Sequence, residues 1–133
     1  MKYFLDTNII AYAVKGMFPE IRKHFERVPS TSIVVPSVVR AELEYGARKS
    51  NNYERTIALY NSFLREFQVV PFSKSEAAAY GEIRRQLETA GAPIGPNDLL
   101  IAASAFNGGC LVTHNVKEFS RIEGLVIEDW TMG

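Results

Sequence analysis

Residues 2–8 read Lys-Tyr-Phe-Leu-Asp-Thr-Asn, and this stretch predicts a short buried strand that ends on an acid. Tyr3, Phe4 and Leu5 supply the apolar strand, and Asp6 follows at its carboxyl end. A carboxylate beside an apolar strand loses hydration, which is unfavourable unless hydrogen bonds or a cation compensate. Open α/β sheets bind their ligands at the carboxyl ends of strands. Asp6, one of only three Asp residues in the chain, is therefore the first candidate functional residue.

Strand and helix patterns alternate along the rest of the chain. The strand-like segments are residues 2–6, 31–35, 67–71, 109–113 and 125–128. The helical patterns are residues 19–28, 38–49, 52–66, 74–90 and 97–107, with Ser37 as a predicted N-cap and Gly91 as a predicted stop signal. This alternation predicts an α/β fold, with a parallel sheet and helices on both of its faces. The two helices between the second and third strands should form an added hairpin.

Size and composition fit a single domain over residues 1–133, with 47% hydrophobic and 23% charged residues. No apolar run approaches the roughly 20 residues that span a bilayer, and the first residues do not resemble a signal peptide. The single cysteine, Cys110, excludes an internal disulfide framework and a thiolate metal cluster, and its apolar neighbours predict a buried thiol. These features predict a cytoplasmic protein without a membrane association.

The net charge is zero, but the charges are unevenly distributed. Residues 1–50 contain eight Lys and Arg against five Asp and Glu, whereas residues 51–133 contain seven against ten. The overall basic charge that is usual for nucleic-acid-binding proteins is absent. The first half has two open interpretations, a local basic face or an ordinary solvated helix surface. Its basic residues include Lys15, Arg22, Lys23, Arg27, Arg40, Arg48 and Lys49.

Glu42 is the second candidate acid, and it lies on the predicted helix 38–49. Residues three and four apart share a helix face, so Glu42 points in the same direction as Val38 and Tyr45. The alternative is a boundary glutamate paired with Arg40 or Lys49, because a helical Glu is usually solvated.

Asp98 and Glu118 complete the set of candidate acids. Asp98 lies in the first turn of the predicted helix 97–107, which is almost wholly apolar. An acid in that position either complements the helix dipole or faces a cleft at the start of a buried helix. Glu118 follows the predicted strand 109–113 and is either part of the same edge or an ordinary loop acid. His114 lacks a second histidine nearby, so a hydrogen-bonded histidine is preferred to a metal ligand, and His24 receives no functional assignment.

The predicted fold brings Asp6, Asp98 and Glu118 near one edge of the sheet, where Glu42 can reach them. Carboxylates without basic partners repel one another, and a divalent cation would offset that repulsion. Ligands that are all oxygen favour hard ions such as Mg²⁺ or Mn²⁺ over zinc. Such ions activate water and stabilise the charge on an attacked phosphate. The sequence therefore predicts an enzyme that hydrolyses phosphodiester bonds.

Five segments carry a family resemblance that covers nearly the whole chain. They are FLDTNII (4–10), SVVRAELEYGA (37–47), IGPNDLLIAA (94–103), LVTHNVKEF (111–119) and GLVIEDW (124–130). In this order and spacing they resemble the PIN domain and, within it, the VapC-type toxins of bacterial and archaeal toxin–antitoxin pairs. The resemblance implies a three-layer α/β/α fold with a parallel sheet of about five strands. It also implies an endoribonuclease that depends on Mg²⁺ or Mn²⁺ and is held inactive by a small antitoxin.

The resemblance also assigns site residues by position. Asp6, Glu42 and Asp98 match the family's acidic triad. The resemblance implies that Asp6 and Asp98 are the main metal ligands, directly or through water, and that Glu42 completes the pocket and helps to orient a metal-bound water. Glu118 matches the fourth acidic position, where many relatives have Asp, so its direct coordination of a metal stays open. Hydrogen-bonding support is expected from Thr7, Asn8, Thr113 and Asn115. The segment containing Asp129 and Trp130 is expected to be structural.

The implied partners are an RNA substrate such as tRNA, a VapB-like antitoxin and a second copy of the chain. Candidate contact residues on the helices are Tyr45, Tyr53, Ile57, Tyr60 and Leu64, with core packing as the alternative. Two other functions stay open, a non-catalytic binding module on the same scaffold and a nuclease for DNA or flap substrates. Attack by the ribose 2′-hydroxyl is the alternative to attack by metal-activated water.

Overall fold

The computed structural model describes residues 1–133 and contains a five-stranded parallel sheet. The strands are β1 (Lys2–Leu5), β2 (Ile33–Pro36), β3 (Gln68–Val70), β4 (Gly109–Val112) and β5 (Val126–Glu128). The helices are α1 (Thr7–Val14), α2 (Pro19–Arg27), α3 (Ser37–Lys49), α4 (Tyr53–Leu64), α5 (Lys74–Thr89), α6 (Pro96–Ala105) and α7 (Val116–Phe119), and residues Ser30–Ser32 form a 3₁₀ turn. Helices flank the sheet in three layers, which confirms the predicted α/β/α fold.

The strand order is β3-β2-β1-β4-β5, so β1 lies at the centre of the sheet. Tyr3 on β1 pairs with Ile33 on one side and with Cys110 on the other. Strands β2 and β3 are added in sequence on one side of β1, and β4 and β5 are added on its other side. Such a reversal of strand order leaves a crevice outside the carboxyl ends of the two strands, where α/β proteins bind their ligands. The residues that follow β1 and β4 therefore lie side by side.

Helix α1 was not assigned from the sequence. Its eight residues, Thr-Asn-Ile-Ile-Ala-Tyr-Ala-Val, begin directly after Asp6, whose carboxylate accepts a hydrogen bond from the Thr7 backbone N–H at 2.8 Å. Ile9 and Ile10 are fully buried. A short segment with β-branched residues has weak helical propensity, so its burial and its cap determine the conformation.

The start of α3 also differs from the prediction. Ser37 was expected to be the N-cap, but it is the first residue of the helix, and Pro36 precedes it without a side-chain cap. Pro36 still pairs with Val70 in the sheet, so α3 begins directly from the end of β2. The other predicted strands and helices are confirmed, with ends that differ by one or two residues. Gly91 follows α5 with φ of +67°, in agreement with the predicted stop signal.

The sheet and helices enclose one hydrophobic core of 24 buried residues. Cys110 is fully buried as predicted, and burial raises the pKa of its thiol to about 12. Tyr60 and Leu64 are also buried, so they are unavailable as partner contacts, and their alternative interpretation as core residues is correct. Tyr53 and Ile57 are half-buried and pack against the same core. None of the seven helices combines the length and apolar character that a bilayer span requires.

Gly109, the first residue of β4, permits a close approach between the sheet and α6. A Cβ atom at this position would lie 2.4 Å from Cε1 of Phe4 and 2.9 Å from the carbonyl oxygen of Ala105. Gly109→Ala is therefore expected to destabilise the protein by about 1–3 kcal/mol through overpacking. Urea denaturation measures this change.

Gly81→Ala, in the middle of α5, is the matched control because nothing lies within 4 Å of its added Cβ. This control should stabilise the protein by about 0.5–1 kcal/mol through the higher helix propensity of Ala. Equal effects of the two substitutions would contradict the packing explanation for Gly109.

Candidate active site

Asp6 occupies the crevice at the carboxyl ends of β1 and β4. Only 5% of its surface is exposed. Its Oδ1 accepts the hydrogen bond from the Thr7 N–H, and its Oδ2 accepts one from Oγ1 of Thr113 at 2.7 Å. Its own N–H donates to the carbonyl oxygen of Val112 at 2.9 Å. Burial raises the pKa of Asp6, against the opposing effect of these hydrogen bonds. The acid is thus held rigidly between the end of β4 and the start of α1.

Thr113 links this acid to the loop after β4. The side chain is fully buried, and its Oγ1 both donates to Asp6 and accepts from the Asn115 N–H at 3.0 Å. Nδ2 of Asn115 in turn donates to Oε2 of Glu118 at 3.0 Å. A series of hydrogen bonds through Thr113 and Asn115 therefore connects Asp6 to Glu118.

Glu42 joins three helices at the same site. One of its carboxylate oxygens accepts a short hydrogen bond from Oγ1 of Thr7 on α1. The other accepts from Nδ2 of Asn97 on α6 at 3.1 Å. No ion pair joins it to Arg40 or Lys49, so the boundary-glutamate alternative is wrong. The two polar partners hold the Glu42 side chain towards the crevice.

Asp98 is half-buried in the first turn of α6. Its pKa is raised to about 7 by burial first, and then by the negative charges of Asp6, Glu118 and Glu42. These four residues are called the acidic cluster below. Asp6, Glu42 and Glu118 therefore all lie close enough to Asp98 for their negative charges to disfavour its ionisation. The carboxyl of Asp98 therefore retains a proton to a higher pH than an ordinary Asp does.

Glu118 lies on α7 and has the opposite shift. The hydrogen bond from Asn115 is the main cause that lowers its pKa, and the Gly95 N–H at 3.3 Å contributes in the same direction. The carboxyls of Asp98 and Glu118 also affect each other, which raises the pKa of Asp98 and lowers that of Glu118. Asp98 therefore binds a proton more readily than Glu118 does.

A groove of about 960 Å³ opens over the acidic cluster. Asp6, Glu42 and Asp98 line it, but Glu118 does not. Asn8 was expected to support the pocket by hydrogen bonding, but its exposed side chain makes no hydrogen bond and only lines the groove. The sequence analysis did not identify Asn97, which lines the groove and donates a hydrogen bond to Glu42. Its position next to Asp98 was the available signal.

The residues outside the groove agree with a structural assignment. Nδ1 of His114 lies 3.0 Å from Oδ2 of Asp129, so this histidine is hydrogen-bonded as expected. His24 had no predicted function, yet its ring stacks on Trp130 with a centroid distance of 5.2 Å and an interplanar angle of 4°. Trp130 is fully buried. These contacts fasten the segment after β5 to α2.

The acidic cluster fits a hard divalent ion in the chemistry of its donors, which are all carboxylate oxygens. No group of three or more His, Cys, Asp or Glu side chains is arranged to hold an ion by itself. Mg²⁺ needs fewer protein ligands, because it usually keeps several waters and binds through one or two carboxylates. Burial first, and then the negative charges of the other acids, raise the pKa values of Asp6 and Asp98, and a cation would relieve the repulsion. The pair is therefore suitable as ligands.

Comparison with known proteins gives one family and close relatives. The family model described as PIN domain matches residues 3–125. The chain is 40% identical to ribonuclease VapC2 of Rickettsia felis over 132 residues, which is 98% of each chain. It is 37% identical to the tRNA(fMet)-specific endonuclease VapC of Salmonella typhimurium over 131 residues, again 98% of each. A crystal structure of DNA-bound VapBC from Salmonella typhimurium has a TM-score of 0.92 at 37% identity and 98% coverage of both chains.

Proposed function

The chain belongs to the PIN domain family, and from this premise we propose that residues 1–133 form one PIN domain that acts as a toxin endoribonuclease. The observation that carries this proposal is the acidic cluster at the crevice between β1 and β4. The family is generally dependent on divalent metals, and we assign Mg²⁺ or Mn²⁺ to Asp6 and Asp98. Since its substrate is RNA, we place its action in the cytoplasm.

Neighbouring residues of the chain hold the carboxylates of Asp6 and Glu42 in fixed orientations. Thr113 and the Thr7 N–H hold both oxygens of Asp6, while Thr7 and Asn97 hold those of Glu42. When bound, a divalent ion lowers the pKa of water and stabilises the charge on the attacked phosphate. We assign Glu42 the role of orienting the attacking water. The pKa of Asp98, raised by burial and then by the neighbouring negative charges, supports a position where a cation would be stabilising. Glu118 supports the site through Asn115 without lining the groove.

We propose structured RNA, and tRNA first, as the substrate. A relative that is 37% identical is named as a tRNA(fMet)-specific endonuclease, so initiator tRNA is the first substrate to test. Single-stranded loops are the expected target, because unstacked bases can be splayed out and read. Attack by water is proposed; products with 2′,3′-cyclic phosphate ends would instead identify the ribose 2′-hydroxyl as the nucleophile.

We also propose that a VapB-like antitoxin binds and inhibits the chain, and that the chain forms a homodimer within that complex. Solved relatives at 37–39% identity are VapBC complexes, including one from Rickettsia felis and one from Salmonella typhimurium. Light scattering on the purified protein tests the homodimer, and a monomer at micromolar concentration would contradict it.

Purified protein, freed from any antitoxin, is expected to cut tRNA in the presence of Mn²⁺ or Mg²⁺. Addition of a chelator should abolish cleavage, because the carboxylates alone repel the phosphate and cannot activate water. Denaturing electrophoresis of the RNA, followed by sequencing of the new ends, measures both activity and cleavage site. RNA left intact with every metal would favour the non-catalytic binding module.

A further inference from the structure

Tyr45 is an unusual aromatic residue in this chain. Among eight Phe, six Tyr and one Trp, only Tyr45 is exposed, with 64% of its surface accessible. It lies on α3, three residues after Glu42, and it lines the groove over the acidic cluster. A large ring that is mostly exposed gains little from burial of its apolar surface. Its exposure therefore leaves much of the ring accessible to a ligand in the groove.

Two lysines accompany Tyr45 in an otherwise acidic groove. Lys15 at the end of α1 and Lys49 at the end of α3 are the only cationic residues that line it. Neither makes an ion pair. Nζ of Lys49 lies 4.8 Å from the centroid of the Tyr45 ring. An aromatic face beside unpaired cations is the combination that binds single-stranded nucleic acid, where bases stack on rings and cations contact phosphates.

We propose that Tyr45 stacks on an unpaired base next to the scissile phosphate, while Lys15 and Lys49 contact the flanking phosphates. The proposal rests on the proposed RNA substrate and adds a substrate-positioning residue to it. It also supplies a basis for selecting loops, since a base in a continuous duplex cannot present its face to Tyr45. The two lysines offset the repulsion between the acidic cluster and the RNA backbone.

The test measures RNA binding by fluorescence anisotropy, with an Asp98→Asn background that removes cleavage. The ligand is a fluorescein-labelled single-stranded oligoribonucleotide, compared with the same sequence as a duplex. Tyr45→Ala should weaken single-strand binding by roughly tenfold, and Tyr45→Phe should stay within about twofold because the ring is kept. Duplex binding should not respond to Tyr45→Ala.

The lysine contribution has a matched control on the same helix. Lys49→Ala should reduce the slope of log K against log salt concentration by about 0.7, the effect of one phosphate contact with a single strand. Arg48→Ala removes the same charge one residue earlier, but Arg48 does not line the groove and pairs with Glu44. It should leave the slope unchanged.

Several results would overturn the proposal. The first is that Tyr45→Ala binds the single strand as tightly as the protein with Tyr45. The second is that Tyr45→Phe loses as much single-strand affinity as Tyr45→Ala. The third is that Tyr45→Ala loses as much affinity for the duplex as for the single strand. Unchanged RNA binding together with loss of antitoxin binding would identify Tyr45 as a protein contact instead.

If the wild-type chain cuts tRNA but Tyr45→Ala binds normally, the positioning proposal fails and the nuclease function stands. If Tyr45→Ala weakens binding but the wild-type chain cuts no RNA with any metal, the nuclease function fails and the positioning proposal stands.

Discussion

Asp98→Asn is expected to reduce RNA cleavage by at least about a hundredfold while the protein stays folded. The substitution removes one of the two proposed metal-binding carboxylates but keeps the shape of the side chain. Without metal it should stabilise the protein at pH 8 by about 1 kcal/mol, a value kept small because the carboxyl is half-exposed. The reason is that the charged form of Asp98 is disfavoured by burial and by the neighbouring acids.

The same substitution should change how stability depends on pH. The pKa of Asp98 is raised from 3.8 to about 7 by folding, so the folded chain binds an additional proton between these values. The contribution of this bound proton to the free energy of unfolding is fully present below about pH 4 and is lost as the pH rises through about 7. Thermal unfolding between pH 5 and pH 8 with chelator present should show this loss in the wild type and not in Asp98→Asn.

Asp129→Asn is the matched control, because Asp129 is the only Asp outside the acidic cluster. Burial opposes ionisation of this residue, but hydrogen bonds from Thr131 hold its pKa below the usual value. Its substitution should therefore lower stability at neutral pH and leave cleavage intact. Full activity of Asp98→Asn, or loss of activity in Asp129→Asn alone, would refute the site assignment.

Trp130→Ala is expected to give the largest loss of stability, roughly 3–5 kcal/mol. The side chain is fully buried, its ring lies 5.5 Å from that of Tyr3 and 5.3 Å from that of Phe25, and Nε1 donates to Glu128 at 2.9 Å. Removal leaves a large cavity beside β1 and strips one face from the stacked His24 ring. Urea denaturation with a constant m-value would measure the loss.

Trp130→Phe provides the partial variant for comparison. It keeps an aromatic ring in the core but removes the hydrogen bond to Glu128, so its loss should be clearly smaller than that of Trp130→Ala. A change below about 1 kcal/mol for Trp130→Ala would mean that the segment after β5 is not anchored by this residue.

The sequence allowed most of the fold to be predicted, because the buried strands and the longer helices have clear periodic patterns. Helix α1 and the start of α3 are two features that local patterns did not predict. Helix α1 has only eight residues and depends on burial of Ile9 and Ile10 and on the cap supplied by Asp6. The start of α3 has no side-chain cap, since Pro36 connects β2 to the helix directly. In both cases tertiary contacts override local preference.

The candidate site was predictable at the level of its acids and not at the level of their contacts. The strand ends and the motif order indicated Asp6, Glu42 and Asp98, which the fold brings to one groove. The hydrogen bonds of Glu42 join residues 35 and 55 positions apart, so no local pattern reveals them. For the same reason the sequence did not distinguish Asn8, which makes no hydrogen bond, from Thr7, which makes one to Glu42.

The central position of β1 has a consequence for synthesis of the chain. Asp6 is translated long before Thr113, whose hydroxyl orients it from 107 positions later in the chain. The strand that borders β1 on that side, β4, starts only at Gly109. A growing chain on the ribosome therefore carries an incomplete site until nearly all of these residues have been made. The proposed nuclease activity can therefore arise only after β4 and Thr113 have been translated.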